Sequence, residues 1–372
     1  MKYIFTYITF SLLLSACRSS SSEQNAENII SLENTKKLQA KNLEIINAIP
    51  LETTSENLMG NRLRIRKSSS HLYIMDEESK RKSLHVFAPT GNYIGKAIEE
   101  GEGPENIPSL DDFFIGSDGK LELLSTVGDM ATIYQIDTSG SPNVKFKSEY
   151  VATSFTKLPN DEYLLCGGYN LPIIKNRVVK VSATGEIADT YLPNDYSGKL
   201  LPMTERNFFP SGDNVNFIES FDHQVYQYIG DSLTPIFEID FGAYAIPSSY
   251  WDMDFMEGFS MLNEKGFGNI TAIFQADLYT MIECMFQGPF GVYKQLLFLE
   301  DDKNSKYSIQ INEDESPVFY YPIGIDQEGH FLFLTYQDSL KDYLAKSGQP
   351  FSFSLPESDF NFPVIISVSL TP

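Results

Sequence analysis

Cysteine, histidine, tryptophan and positive charge are all scarce in this 372-residue chain. It holds 3 Cys, 4 His and 1 Trp, and its 28 Lys plus Arg face 50 Asp plus Glu. Each shortage removes a class of function. Neither CxxC nor metal-type Cys/His spacing occurs, and His71, His85, His223 and His330 form no HxH or HExxH pattern, so zinc held by such residues is not expected. No GxSxG motif is present, which removes the serine nucleophile elbow. The formal net charge of −22 repels phosphate backbones and argues against a nucleic-acid partner. Cys166 and Cys284 lie in apolar surroundings and are expected as free, buried thiols rather than a disulfide.

What the chain does have is apolar and aromatic residues in an alternating pattern. Hydrophobic residues make up 42% of it, and its 21 Tyr and 27 Phe favour strands. Arg62–Lys67 alternates, Ser68-Ser69-Ser70 turns, and His71–Asp76 forms a second strand. Ser83–Ala88 and Tyr93–Ile98 complete a four-stranded unit around the turn Pro89-Thr90-Gly91-Asn92. Three more copies follow, with their late-turn glycines at 91, 140, 185 and 230. A fifth unit is read over Ile270–Ile311, and a sixth from Val318 to Leu370 that lacks a fourth strand. Four strands at a period of 45–49 residues predict an all-β, six-bladed β-propeller. Glu44–Leu51, ahead of the first unit and without a partner, is expected to pair with Val364–Leu370 and close the ring. A small helical insertion carrying Trp251 is expected between blades 4 and 5, within 242–266, and a second insertion at about 337–360 with a helix near Ser339–Lys346.

The N-terminus reads as an export signal. One basic residue, Lys2, precedes the apolar run Tyr3–Leu14, which is short for a bilayer span, and Ser15-Ala16 supply small residues before a cut. Leu14-Ser15-Ala16-Cys17 resembles the lipobox of bacterial lipoproteins. That resemblance implies cleavage before Cys17, lipidation of its thiol and acylation of the new amino group. The expected organisation is a signal peptide over 1–16, a lipidated flexible tether over 17–43 and the propeller over 44–372. A short helix fits part of the tether, from Ile29 to Leu43. The segments Ile49–Thr54, Leu72–Asp76, Val86–Gly91, the loop Gly101–Glu105 with Asp111–Phe113, and Asn361–Ile366 resemble the six-bladed β-propeller lipoproteins of Gram-negative gut anaerobes, of the NHL or TolB-like type. The resemblance covers about residues 44–372. It implies the propeller and an exported, lipid-held location, and no established reaction.

Chemistry is harder to locate. Gly101-Glu102-Gly103-Pro104 opens no helix and reads as an inter-blade connection rather than a phosphate cradle. Asp111 and Asp112 point to opposite faces of a strand, so only one can reach any shared site, and both read first as solvated or turn-capping acids. Tyr169, Tyr250, Trp251, Tyr320 and Tyr321 are the candidate ligand-binding residues, as aromatic platforms for a sugar ring or a peptide. No metal ligand or catalytic residue is assigned and no cofactor is expected, with Ca²⁺ the one ion that scattered channel carboxylates could hold. The leading expectation is a non-catalytic protein- or glycan-binding module, lipid-anchored in the outer membrane and facing the periplasm rather than the cell surface. The alternative is a metal-dependent propeller hydrolase or lactonase with its site in the channel.

Overall fold

The computed structural model of the protein describes residues 29–167, 174–194, 206–300, 305–348 and 353–372. Three strands come first: β1 (Ile29–Ser31), β2 (Lys36–Leu38) and β3 (Leu43–Pro50). Blade 1 follows as β4 (Leu63–Lys67), β5 (Leu72–Asp76), β6 (Ser83–Phe87) and β7 (Tyr93–Glu99). Blade 2 is β8 (Asp112–Ile115), β9 (Leu121–Val127), β10 (Met130–Ile136) and β11 (Pro142–Ser148). Blade 3 is β12 (Ser154–Lys157), β13 (Tyr163–Cys166), β14 (Asn176–Val181) and β15 (Ile187–Pro193). Blade 4 is β16 (Phe208–Ser211), β17 (Asn214–Phe217), β18 (Gln224–Ile229) and β19 (Ser232–Asp240). Blade 5 is β20 (Phe267–Gln275), β21 (Tyr279–Gly288), β22 (Gly291–Glu300) and β23 (Ser305–Ile311). Blade 6 combines β24 (Tyr321–Ile325), β25 (Phe331–Tyr336) and β26 (Pro363–Leu370) with β3.

Each blade is an antiparallel meander, and the leading strands β4, β8, β12, β16, β20 and β24 touch in succession around the axis. The ring closes as the sequence predicts, with β3 antiparallel to β26 and Ile49 opposite Ile365. This clasp joins the two ends of the chain inside one sheet and hides an edge that would otherwise stay open.

The core is divided into six seams, one between each pair of neighbouring blades. Strand β13 shows how the sequence builds them. Tyr163 and Leu165 face blade 2, while Leu164 and Cys166 face blade 4, and all four are buried. Successive side chains of a strand point to opposite faces, and here both faces are covered, so the strand reads as a continuous apolar run. Cys166 and Cys284 are free, buried thiols. The late hairpin turns hold their glycines for a stated reason: Gly91 and Gly185 have φ of 92° and 88°. A Cβ on Gly185 would also lie 2.1 Å from the Lys147 carbonyl oxygen of the preceding blade.

One expectation fails at the N-terminus. Residues 29–43, read as part of a tether with a short helix, instead run as strands joined by single 3-10 turns. Strand β1 pairs in parallel with β19, Ile30 opposite Ile239, and β2 pairs in parallel with β23, Leu38 opposite Ile309. The physical reason is the open outer edge of blades 4 and 5, whose backbone groups need partners. Ile30 and Leu32 also bury in the seam between those blades. The segment is therefore a strap along the outside of blades 4 and 5 before it becomes the last strand of blade 6.

Both insertions contain helices. Helix α1 (Phe255–Lys265) lies between blades 4 and 5 and is capped by Asp254, whose carboxylate accepts from the Met256 amide at 2.9 Å. Trp251 sits in the 3-10 turn before this helix. Helix α2 (Gln337–Ser347) follows β25 and packs Leu340 and Leu344 against blade 6. Among the described residues no helix is long and apolar enough to cross a membrane.

Candidate functional site at the propeller axis

Polar and charged side chains of the leading strands gather where a propeller has its channel. Alternation places Arg64 and Arg66 on one face of β4, turned toward blade 2. There Asp112, at the start of β8, receives Arg64 Nη1 at 2.8 Å and Arg66 Nη2 at 3.2 Å. The same carboxylate accepts the backbone amides of Phe113 at 2.8 Å and Phe155 at 3.1 Å, and so ties blades 1, 2 and 3 together. Arg64 also meets Glu77 at 2.7 Å. Asp112 is 1% exposed, which overturns its reading as a solvated or turn-capping acid. Its neighbour Asp111 points the other way, accepting from Ser109 Oγ and the Thr126 amide, as alternation requires. Burial pushes the Asp111 carboxyl above its ordinary value, opposed by those two hydrogen bonds.

The pattern of committed carboxylates continues around the ring. Glu219 pairs with Arg177 at 2.5 Å between blades 3 and 4. Glu283 of β21 pairs with Lys294 of β22 at 3.1 Å, and Lys294 also donates to the Tyr320 carbonyl at 2.8 Å. Ser154 donates to Asn207 Oδ1 at 2.9 Å, and Asn207 donates onward to the Ile218 carbonyl, linking blades 3 and 4 without charge.

Arg206 differs from all of these. Its guanidinium lies over the rings of Phe209 on β16 and Phe274 on β20, at 5.0 and 5.4 Å from their centroids. The charges that act on it most strongly are those of Arg64 and Arg66. In a ring of six, blade 4 stands opposite blade 1, so groups on the two blades interact only by reaching the axis. Burial first, and then those two arginines, bring Arg206 well below the usual guanidinium range, to about 10, against the pull of Glu77 and Glu283. Arg66 is likewise lowered, by burial and then by Arg64 against the pull of Asp112. Water reaches part of both side chains although protein surrounds them, which is the setting of a channel rather than a sealed core.

The aromatic candidates do not assemble into a platform. Tyr250 is 4% exposed and packs against Phe221, Leu262 and Phe267, with Trp251 edge-on to it at 5.1 Å. Tyr320 is 7% exposed, and its ring and that of Tyr321 both contact Lys294. Burial removes Tyr250 and Tyr320 as exposed stacking surfaces, while Trp251 and Tyr321 stay partly accessible at distant places in the ring. Tyr169 and Cys17 lie outside the described residues. Asp326, Glu328 and His330 could gather around a metal at the β24–β25 turn. Asp326 already closes that turn, however, accepting the Glu328 and His330 amides. A cleft of about 680 Å³ opens between blades 1 and 2, lined by His71, Tyr73, Lys96, Ile98, Leu121 and Asp137 among others, away from the arginines.

The fold and this axis define a six-bladed β-propeller with buried ion pairs between its blades. The chain belongs to the family "Domain of unknown function (DUF4934)", whose profile matches residues 27–363. That match begins just before the strap. A "putative exported protein" of Bacteroides fragilis is similar in structure, with 18% identity, a TM-score of 0.71 and coverage of 92% of this chain and 99% of its own. Virginiamycin B lyase from Staphylococcus aureus is 12% identical over 88% of this chain and 99% of its own, with a TM-score of 0.44. The likeness to the exported protein speaks to the fold alone. No curated protein matches by sequence.

Proposed function

We propose that this chain is an exported, lipid-anchored propeller that binds a protein or glycan of the cell envelope and catalyses no reaction. The observation that carries this reading is the state of the buried carboxylates. Asp112, Glu219 and Glu283 are each tied to a guanidinium or ammonium group. A calcium-dependent hydrolase needs several oxygen ligands free to converge on one cation. Carboxylates neutralised in place, beside further arginines, would repel that cation instead. The export signal and the likeness to an exported propeller support the envelope location.

The strap also shortens the tether. Only eleven residues separate Cys17 from Ile29, where pairing with blade 4 begins. Fully extended they reach about 40 Å, so an acylated Cys17 would keep the outer edge of blade 4 near the bilayer. Two or more acyl chains hold a protein stably on a membrane where a single chain does not.

The test is turnover by the full chain, purified in detergent and supplied with Ca²⁺, against a panel of lactones and glycosides. No hydrolysis above background is expected. Saturable, calcium-dependent hydrolysis would overturn the reading.

A further inference from the structure

We propose that the propeller axis is a binding site for a small oxyanion, a carboxylate, sulfate or phosphate group, held between Arg206 on one side and Arg66 on the other. The proposal rests on the binding reading above and names the chemistry of its ligand.

Among the described residues the carboxylates near the axis are already engaged: Asp112 holds Arg64 and Arg66, Glu77 holds Arg64 and Arg62, and Glu283 holds Lys294. Arg206 enters none of these pairs, in a chain whose net charge is −22. Asp112 cannot pair with it as well, because its oxygens already serve two guanidinium groups and two backbone amides. Among the described residues, no carboxylate lies within ion-pair distance of Arg206. Its partners are two aromatic faces. A guanidinium stacked on a ring keeps its in-plane N–H groups free, and that edge is the one that grips a carboxylate or phosphate in bidentate fashion. Arg66 is arranged alike, over the Phe113 ring at 5.1 Å with one bond to Asp112.

Like charges held together in an enclosed site raise the energy of the empty state, and an arriving anion relieves it. A base whose folded pKa falls below its unfolded one binds its proton less well in the folded protein. Its charge therefore weakens the fold at neutral pH. By that sign, Arg206→Met should leave the unliganded protein at least as stable as the parent. A structural arginine would do the reverse.

The experiment titrates the full chain in detergent with sulfate, inorganic phosphate and a hexuronate, following heat of binding and thermal midpoint. Neutral glucose serves as the control. Saturable binding of at least one anion and a raised midpoint are expected, since a ligand of the folded state stabilises it by mass action. Arg206→Met should weaken that binding about ten- to hundredfold, the range for a lost charge-assisted bond. Arg206→Lys, which keeps the charge without the fork, should fall between the two. The three anions tell a sugar acid from a phosphate source. Absence of saturable binding by all three, or equal binding by the parent and Arg206→Met, would overturn the proposal. Retention of an envelope protein or neutral glycan by Arg206→Met at parental affinity would sink this inference and leave the broader binding reading standing. Calcium-dependent hydrolysis alongside intact anion binding would do the opposite.

Discussion

Blades 1–3 and blades 4–6 use one architecture in two ways. Among the described residues the first half is regular, with three four-stranded meanders and a buried carboxylate, Asp112, that pairs with two arginines and joins all three blades. The second half carries the irregular parts. The strap adds strands to blades 4 and 5, α1 and α2 are inserted there, and Arg206 has aromatic rings where its counterparts have carboxylates. The difference teaches that regularity marks the scaffold. Departures from it gather where the strap, the two helices and Arg206 sit.

The largest expected effect lies in the regular half. Asp112→Ala removes the carboxylate that Arg64 and Arg66 share, stranding Arg66 while Arg64 keeps Glu77, and should destabilise the protein by about 3–5 kcal/mol in urea denaturation. The matched change across the axis, Arg206→Met, should cost nothing by the same measurement. Equal losses at the two positions would erase the distinction between scaffold and site. Combining Asp112→Ala with Arg66→Met should recover part of the first loss, because the stranded charge is then gone.

Next in size is the strap. Ile30 is 1% exposed in the seam of blades 4 and 5, so Ile30→Ala should cost about 2–4 kcal/mol if the strap belongs to the global fold. Hydrogen exchange separates that outcome from local fraying. Loss of protection confined to residues 29–38, with β3 and β26 unchanged, would make the strap a separable element lying on a finished ring.

The two halves were also unequally legible in the sequence. Turn glycines at an even period announce blades 1–4, because a left-handed turn position favours glycine, as at Gly91, Gly140, Gly185 and Gly230. Ring closure followed from an orphan strand at each end. The strap left no such mark: parallel pairing of Ile30 with Ile239 has no local turn to betray it. The arginines were hidden for a related reason. Arg64 and Arg66 sit at alternate positions of a strand otherwise bound for burial, a signal that was available. Their relation to Arg206 instead needs the ring, since it joins opposite blades. Two of the aromatic candidates are buried because composition cannot tell a stacking platform from packing: Tyr250 packs in the insertion and Tyr320 in the seam of blades 5 and 6.

The smallest effect sharpens the comparison through pH. Of the four histidines only His85, in blade 1, is buried; it contacts Ser83 Oγ at 2.9 Å and Tyr93 Oη at 3.2 Å. Burial lowers its pKa below 6.5, helped by Lys96 and opposed by Asp76 and Glu99. Below pH 6.5 the unfolded chain takes up a proton that the folded one refuses. Stability is therefore complete above that pH and declines as the pH falls toward the folded pKa, levelling off beneath it. Urea midpoints measured between pH 7 and 5 should fall for the parent and fall less for His85→Gln. Exchange in blade 1 should quicken before exchange in blade 5, which holds no histidine. A uniform loss across all six blades would mean that the ring unfolds as one cooperative unit. The difference between its halves would then lie in chemistry and not in stability.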